Sequence, residues 1–331
     1  MSIPASWYGL AKSNTYTTDL MRLKLENKEA TLFPIFLIFE RKTRYQMSSS
    51  ALILVITAAI LHAVWNLITK QVNGKLAFFW LISLFSAIIY LPLLVFQLIR
   101  TPIQYTGSLF LFGTVSAVLH LFYFVALQVG YRKADLSVVY PVARAAGPVF
   151  SIIGAILIFA ERPGIMAILG SLLIVCGVVL MTGLQIKKDT SILKGFYYGM
   201  LTGFLISTYT LWDKFAVVTH HVSAVFITFA SILLPLIILL PIPIRRSEEV
   251  LLELRAHWKQ GLAVAVFQPL SYLLVLIAMK TTPLSYVAPL RELSIVFAVF
   301  FGVSLLKEKD SKKRIIAALV ILTGISILAT A

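Results

Sequence analysis

Cysteine and acid are scarce in this chain of 331 residues: Cys176 stands alone, and 14 Asp and Glu face 29 Lys and Arg. A single cysteine excludes an internal disulfide and a cysteine-based metal cage. Charged residues make up only 13% of the chain, hydrophobic ones 59%, and the mean hydropathy is +0.92, which excludes a soluble globular domain. The longest loop, roughly 245–259, is too short for an extramembrane domain and argues against a sensor or scaffold. No glycine-rich phosphate-binding loop occurs, so this chain alone cannot drive transport with ATP. Nor does a nucleophile–base pair, metal-ligand cluster or carboxylate dyad occur at interpretable spacing. An intramembrane enzyme is therefore the alternative of a different class, its one conceivable metal set being His62, His120 and Asp213 from three helices. No catalytic residue, metal or cofactor is expected.

What the chain has is a series of apolar runs, at about 51–69, 77–99, 108–130, 137–160, 164–184, 195–216, 222–244, 260–279, 285–306 and 312–330. Each is near the ~20 residues that cross a ~30 Å hydrocarbon core, and helices follow because lipid offers the backbone no hydrogen-bond partners. The first 46 residues differ in kind. They carry Arg22, Lys24, Lys28, Arg41, Lys42 and Arg44 around one apolar patch, "LFPIFLIF" (32–39), too short to span and unlike a signal peptide. They read as a disordered basic extension or a start-site artefact, with Met47 a natural start.

The net charge of +15 reads as loop lysines and arginines that set orientation, and nucleic acid is not expected as a partner. Seven near-membrane basic residues lie on the side of the termini, among them Arg100, Arg162, Lys214 and Lys280, against sixteen on the other. The positive-inside rule therefore places both termini outside the cytoplasm.

The chain repeats itself. Leu136-Ser137 and Leu284-Ser285 stand 148 apart, as do Pro141 and Pro289; Arg144 and Arg291, Glu161 and Glu308, and Gly177 and Gly324 stand 147 apart. The frame slips by one residue between proline and arginine. The unit holds five helices, an odd number, so the second copy enters the membrane from the opposite side. The expected fold is thus an all-α integral membrane protein with ten transmembrane helices in two five-helix inverted-topology repeats, 51–184 and 195–330, the architecture of many secondary transporters.

"YPVARAAGPVFSIIGAILIFAERP", its echo "APLRELSIVFAVFFGVSLLKEK" and the opening "HAVWNLITK" resemble the drug/metabolite transporter superfamily, EamA-like branch, over residues 51 to 330. The resemblance implies a carrier of amino acids, nucleobases, sugar phosphates, drugs or lipid-linked sugars. Members are generally drawn with both ends in the cytoplasm, opposite to the charge count.

Arg144 and Arg291 each lie about seven residues into a span, roughly 10 Å below opposite faces. Burying an arginine at that depth costs ~2.5–3.5 kcal/mol on insertion scales, so it needs a partner or a wet cavity. Snorkelling or pairing with Glu292 would supply structural reasons; neighbours on one helix do not face each other, so Glu292 would meet Arg144 or another helix. The functional reading is a cavity that attracts a carboxylate or phosphate. Other helices offer polar faces: His62, Trp65, Asn66 and Thr69; Ser116, His120 and Tyr123; Ser137, Tyr140, Arg144 and Ser151; Tyr209, Trp212 and Asp213; Gln268 and Tyr272. His62, Glu292 and Asp213 are candidate proton carriers. Gly195, Gly199 and Gly203 mark a close helix contact, and Pro141, Pro148, Pro269 and Pro289 mark kinks or hinges.

The sequence thus predicts a secondary active or facilitative carrier of a small metabolite in the cell (inner) membrane, working by alternating access, with export of amino acids or organic anions as one form. A lipid-linked sugar flippase or drug exporter is the runner-up. The expected partners are a small-molecule substrate and membrane lipids; a homo-oligomer is left open.

Overall fold

Helices form wherever the apolar runs are long enough to satisfy their own backbone. The computed structural model describes residues 47–72, 76–100, 107–134, 136–182, 190–306 and 311–330. The extension at 1–46 and Glu308 lie outside these, as does the side chain of Ser137. Among the described residues there is no strand. Six helices among the described residues are long and apolar enough to cross a membrane: α1 (Ser49–Val72), α2 (Leu76–Arg100), α3 (Gly107–Lys133), α4 (Leu136–Phe159), α7 (Ala224–Ile238) with α8 (Pro241–Arg245), and α9 (Ser247–Ala278). Shorter apolar stretches belong to α5 (Ile165–Thr182) and α12 (Ser311–Thr330). The more polar α6 (Thr190–Lys214) runs on into a π-helical turn, Phe215–Thr219.

The expected span 285–306 is not one helix. It is broken into α10 (Leu284–Leu290) and α11 (Leu293–Leu306), with Arg291 and Glu292 in the turn between them. Pro289 lacks the N–H that would bond to Ser285, and the chain tightens into three-residue bonds: Glu292 N donates to Pro289 O, Ser294 N to Arg291 O and Ile295 N to Glu292 O. The one-residue slip of the repeat frame falls at this break. α9 is likewise bent where His257 leaves helical geometry (φ −133°), just before the expected start at 260.

Outward faces carry exposed Ile53, Leu157, Phe204, Ile237 and Leu319, while Ser116, Thr202, Ser207, Thr210, Asp213 and Glu292 are buried. That distribution suits lipid as solvent and a polar interior. Small residues bring the helices together, as they must where burial of oil gives no net drive. Gly195, Gly199 and Gly203 press α6 onto Val138, Val142 and Ala146 of α4, realising the expected contact. A Cβ on Gly170 would stand 2.7 Å from Gly324 O, and one on Gly324 would stand 2.7 Å from Gly170 O, so α5 and α12 cross almost backbone to backbone.

The packing of the two copies exchanges in pairs. α3 lies on α6 as α9 lies on α1; α3 lies on α7 as α9 lies on α2; α4 lies on α6 as α11 lies on α1. α5 with α12 and α2 with α7 pair across the copies. Gly177 meets Ile321 and Ala317, and their repeat-mates Gly324, Ile174 and Gly170 meet in the same way.

One anchor was invisible as such in the sequence. Ala160, in left-handed backbone (φ 51°), turns the chain after α4 and directs Glu161 onto the start of α10. The carboxylate accepts from Leu284 N (2.8 Å), Ser285 N (2.9 Å) and Ser285 Oγ (2.7 Å), and it is ion-paired with Lys214. Pro283, at the N-cap position of α10, makes no side-chain cap bond; Glu161 supplies that cap from the other copy. Lys214, counted from sequence among the orienting loop residues, is 5% exposed and committed to this pair.

Candidate functional site

The turn between α10 and α11 puts two adjacent residues on opposite errands. Glu292 turns to α4, where its Oε2 lies 3.0 Å from Arg144 Nη2; the same nitrogen donates to Ser294 Oγ at 3.0 Å. The two copies are therefore tied through a buried ion pair, as the reasoning about neighbouring residues predicts. Pro148 contributes as well: having no N–H, it leaves the carbonyl of Arg144 without its helical partner.

Arg291 turns to α9 and lies over the ring of Tyr272, 5.7 Å from its centroid, and its side chain bonds to Tyr209 of α6. Tyr209 in turn stacks on His120 of α3 (4.0 Å, 30°) and stands 5.7 Å from Tyr123. Tyr272 closes the ring of contacts at 5.3 Å from His120 and 6.0 Å from Tyr209. Its hydroxyl donates to Asp213 Oδ2. Asp213 is wholly buried beside the Ser116 hydroxyl, and its Oδ2 lies 4.0 Å from His120 Nε2. His120 Nδ1 lies 2.9 Å from the Ser116 carbonyl, which can only accept, so Nδ1 carries the proton and Nε2 faces Asp213.

Of the sequence candidates, Arg144, Arg291, His120, Tyr123, Tyr209, Tyr272, Asp213 and Glu292 come together, and Tyr140 borders Arg144 at 38% exposure. His62 lies within electrostatic reach of both arginines, with its ring 5.0 Å from Trp65. The rest point elsewhere. Trp212 donates to Phe112 O (3.1 Å) and packs among Phe112 and Phe215. Trp65 packs with the Phe78, Ile82, Val264 and Ala265 cluster. Asn66 is exposed and bonds back to His62 O, and Gln268 is exposed, its carbonyl taken by Ser271. Pro269 acts structurally: it frees Ala265 O, and Ser86 Oγ fills that acceptor at 3.1 Å.

A signal overlooked in the sequence links the opening helices of the two copies. His62, Trp65 and Asn66 and Tyr209, Trp212 and Asp213 stand 147 apart, residue for residue. Among the described residues no group of His, Cys, Asp and Glu could hold a metal ion.

Helices that show oil to their surroundings and charge to one another define a multi-pass membrane protein. The comparisons name its kind: the model of the EamA-like transporter family matches residues 49–183 and again 193–330, and the chain belongs to that family. It is 25% identical over 251 residues to an uncharacterized transporter of Archaeoglobus fulgidus, covering 74% of this chain and 84% of that one. A protein known from its crystal structure, 18% identical, shares the fold with a TM-score of 0.66 over 84% of this chain and 96% of its own.

Proposed function

We propose that this transporter is a secondary active or facilitative carrier of a small metabolite bearing a carboxylate or phosphate, working by alternating access in the cell (inner) membrane. The observation that carries the reading is the broken helix: a span interrupted at two charged residues, in the interior and between the two copies, is how such carriers build a substrate site. The twofold family match and the pairwise exchange of contacts support ten spans in two inverted five-helix repeats. Of the two arginines, Arg144 is already ion-paired with Glu292 and bonded to Ser294, whereas Arg291 makes no contact ion pair among the described residues and rests among Tyr272 and Tyr209, so its charge is the one left to meet a cargo anion.

Purified protein should gain thermal stability from its cargo and from few other solutes, since a ligand at about 100 times its Kd adds about 2.7 kcal/mol. A panel of amino acids, organic acids, sugar phosphates, nucleobases and cationic drugs reads this directly. Stabilisation by an anion, lost in Arg291→Gln, is the expected result. Stabilisation by cationic drugs alone, retained in Arg291→Gln, contradicts the reading and favours a drug exporter.

A further inference from the structure

Among the described residues the buried charges balance: Glu161 and Lys214 cancel as a pair, and the set around the break cannot be changed singly. Arg144 and Arg291 stand against Glu292 and Asp213, so with His120 and His62 neutral the set sums to zero. An anion entering alone would leave this low-dielectric region one charge negative, and a proton entering alone would leave it one charge positive. Either imbalance is expensive to bury. An anion and a proton entering together keep the balance. We propose that Asp213, together with His120, is the proton-binding site of this carrier and that it is loaded jointly with the anion on Arg291, which makes the transport a proton–anion symport. This rests on the reading of Arg291 as the cargo arginine.

The geometry selects Asp213. Glu292 is occupied by Arg144 at 3.0 Å. His62 faces both arginines, a poor place for a third positive charge. Asp213 faces no cation in contact: on α3 it meets Ser116 and His120, on α9 the hydroxyl of Tyr272, and Tyr209 of its own helix stacks on His120. Arg291 acts on it from beyond Tyr272. Two features leave room for a proton. Asp213 Oδ1 is buried, and the Ser116 hydroxyl beside the carboxyl can accept a hydrogen bond from a protonated Asp213 as readily as donate one. His120 Nε2, the ring nitrogen without hydrogen, faces Oδ2 across 4.0 Å, lone pair against lone pair, until one of them is protonated. The proton comes from water and no other bond forms or breaks. Because coupling is reciprocal, neutralising Arg291 with an anion must tighten proton binding to the same degree that the proton tightens anion binding.

The test needs no cargo. Infrared titration of the purified protein should show a protonated-carboxyl band that rises as pH falls. Aspartate labelled with ¹³C at the side-chain carboxyl should move that band in the wild type, and Asp213→Asn should remove it. Arg291→Gln imitates the neutralised arginine and should move the midpoint up by about one pH unit, a tenfold tighter proton; Arg291→Lys should restore the wild-type midpoint. A band that ignores the aspartate label or survives in Asp213→Asn, or a midpoint equal in wild type and Arg291→Gln, overturns the proposal. If the titration behaves as expected but no anion stabilises the protein or is carried, the proton site stands and the cargo reading fails.

Discussion

Removing one partner of a buried ion pair strands the other charge, at a cost of about 3–5 kcal/mol. Arg144→Gln should therefore lower the melting temperature sharply by leaving Glu292, 5% exposed, without its cation. Adding Glu292→Gln should recover most of the loss, and the double variant measured beside both singles gives the coupling. Arg291→Gln removes a stack on Tyr272 and a bond to Tyr209 rather than a contact ion pair, and with Asp213 free to take up a proton in compensation it should cost less than Arg144→Gln. The two arginines matched in sequence and in repeat position, so their spacing could not separate them. What separates them is a single turn of backbone, which sends Glu292 to one and leaves the other facing aromatic rings.

Among the elements, the positions of the apolar segments were legible because lipid forces about 20 apolar residues into each crossing. The break at Arg291 and Glu292 was written as a one-residue slip, but a slip alone does not distinguish a turn from a bulge. Glu161 was legible as a repeat marker and not as a cap, since its partners at 214 and 284–285 are brought to it only by folding. Burial pushes the Glu161 carboxyl up, but the Lys214 charge, with hydrogen bonds from Lys214 and Ser285, outweighs it and holds the carboxyl below the usual glutamate range. A depressed carboxyl stabilises the fold fully above the unfolded value of about 4.3 and loses that contribution as pH falls through the folded one. Wild type should thus exceed Glu161→Gln in melting temperature by a constant margin from about pH 6 to 8, shrinking below about pH 4. The crossing of α5 and α12 is equally exacting. Gly170→Leu or Gly324→Leu must push backbone from backbone and should abolish a monodisperse, stable protein, whereas the same change at Gly164, with nothing within 4 Å of its added Cβ, should be tolerated.

The whole molecule must also be oriented. By the positive-inside rule, sixteen basic residues on one side against seven on the other predict termini outside the cytoplasm, and withdrawing the buried Lys214 from the smaller group sharpens the imbalance. A reporter active only in the cytoplasm should therefore be silent when fused to the C-terminus; an active fusion would reverse the orientation while leaving the fold untouched. Within that frame the two matching helices differ: α4 is continuous through Arg144, and its counterpart is broken at Arg291 and Glu292. On that asymmetry we assign cargo to Arg291 and stability to Arg144. Uptake into proteoliposomes is the measurement that meets this most directly, with labelled anionic, neutral and cationic solutes offered to wild type and Arg291→Gln. Uptake of an anionic solute that disappears in Arg291→Gln, while the variant stays folded and monodisperse, is the result expected. Equal uptake by both proteins, or uptake confined to neutral or cationic solutes, would contradict it.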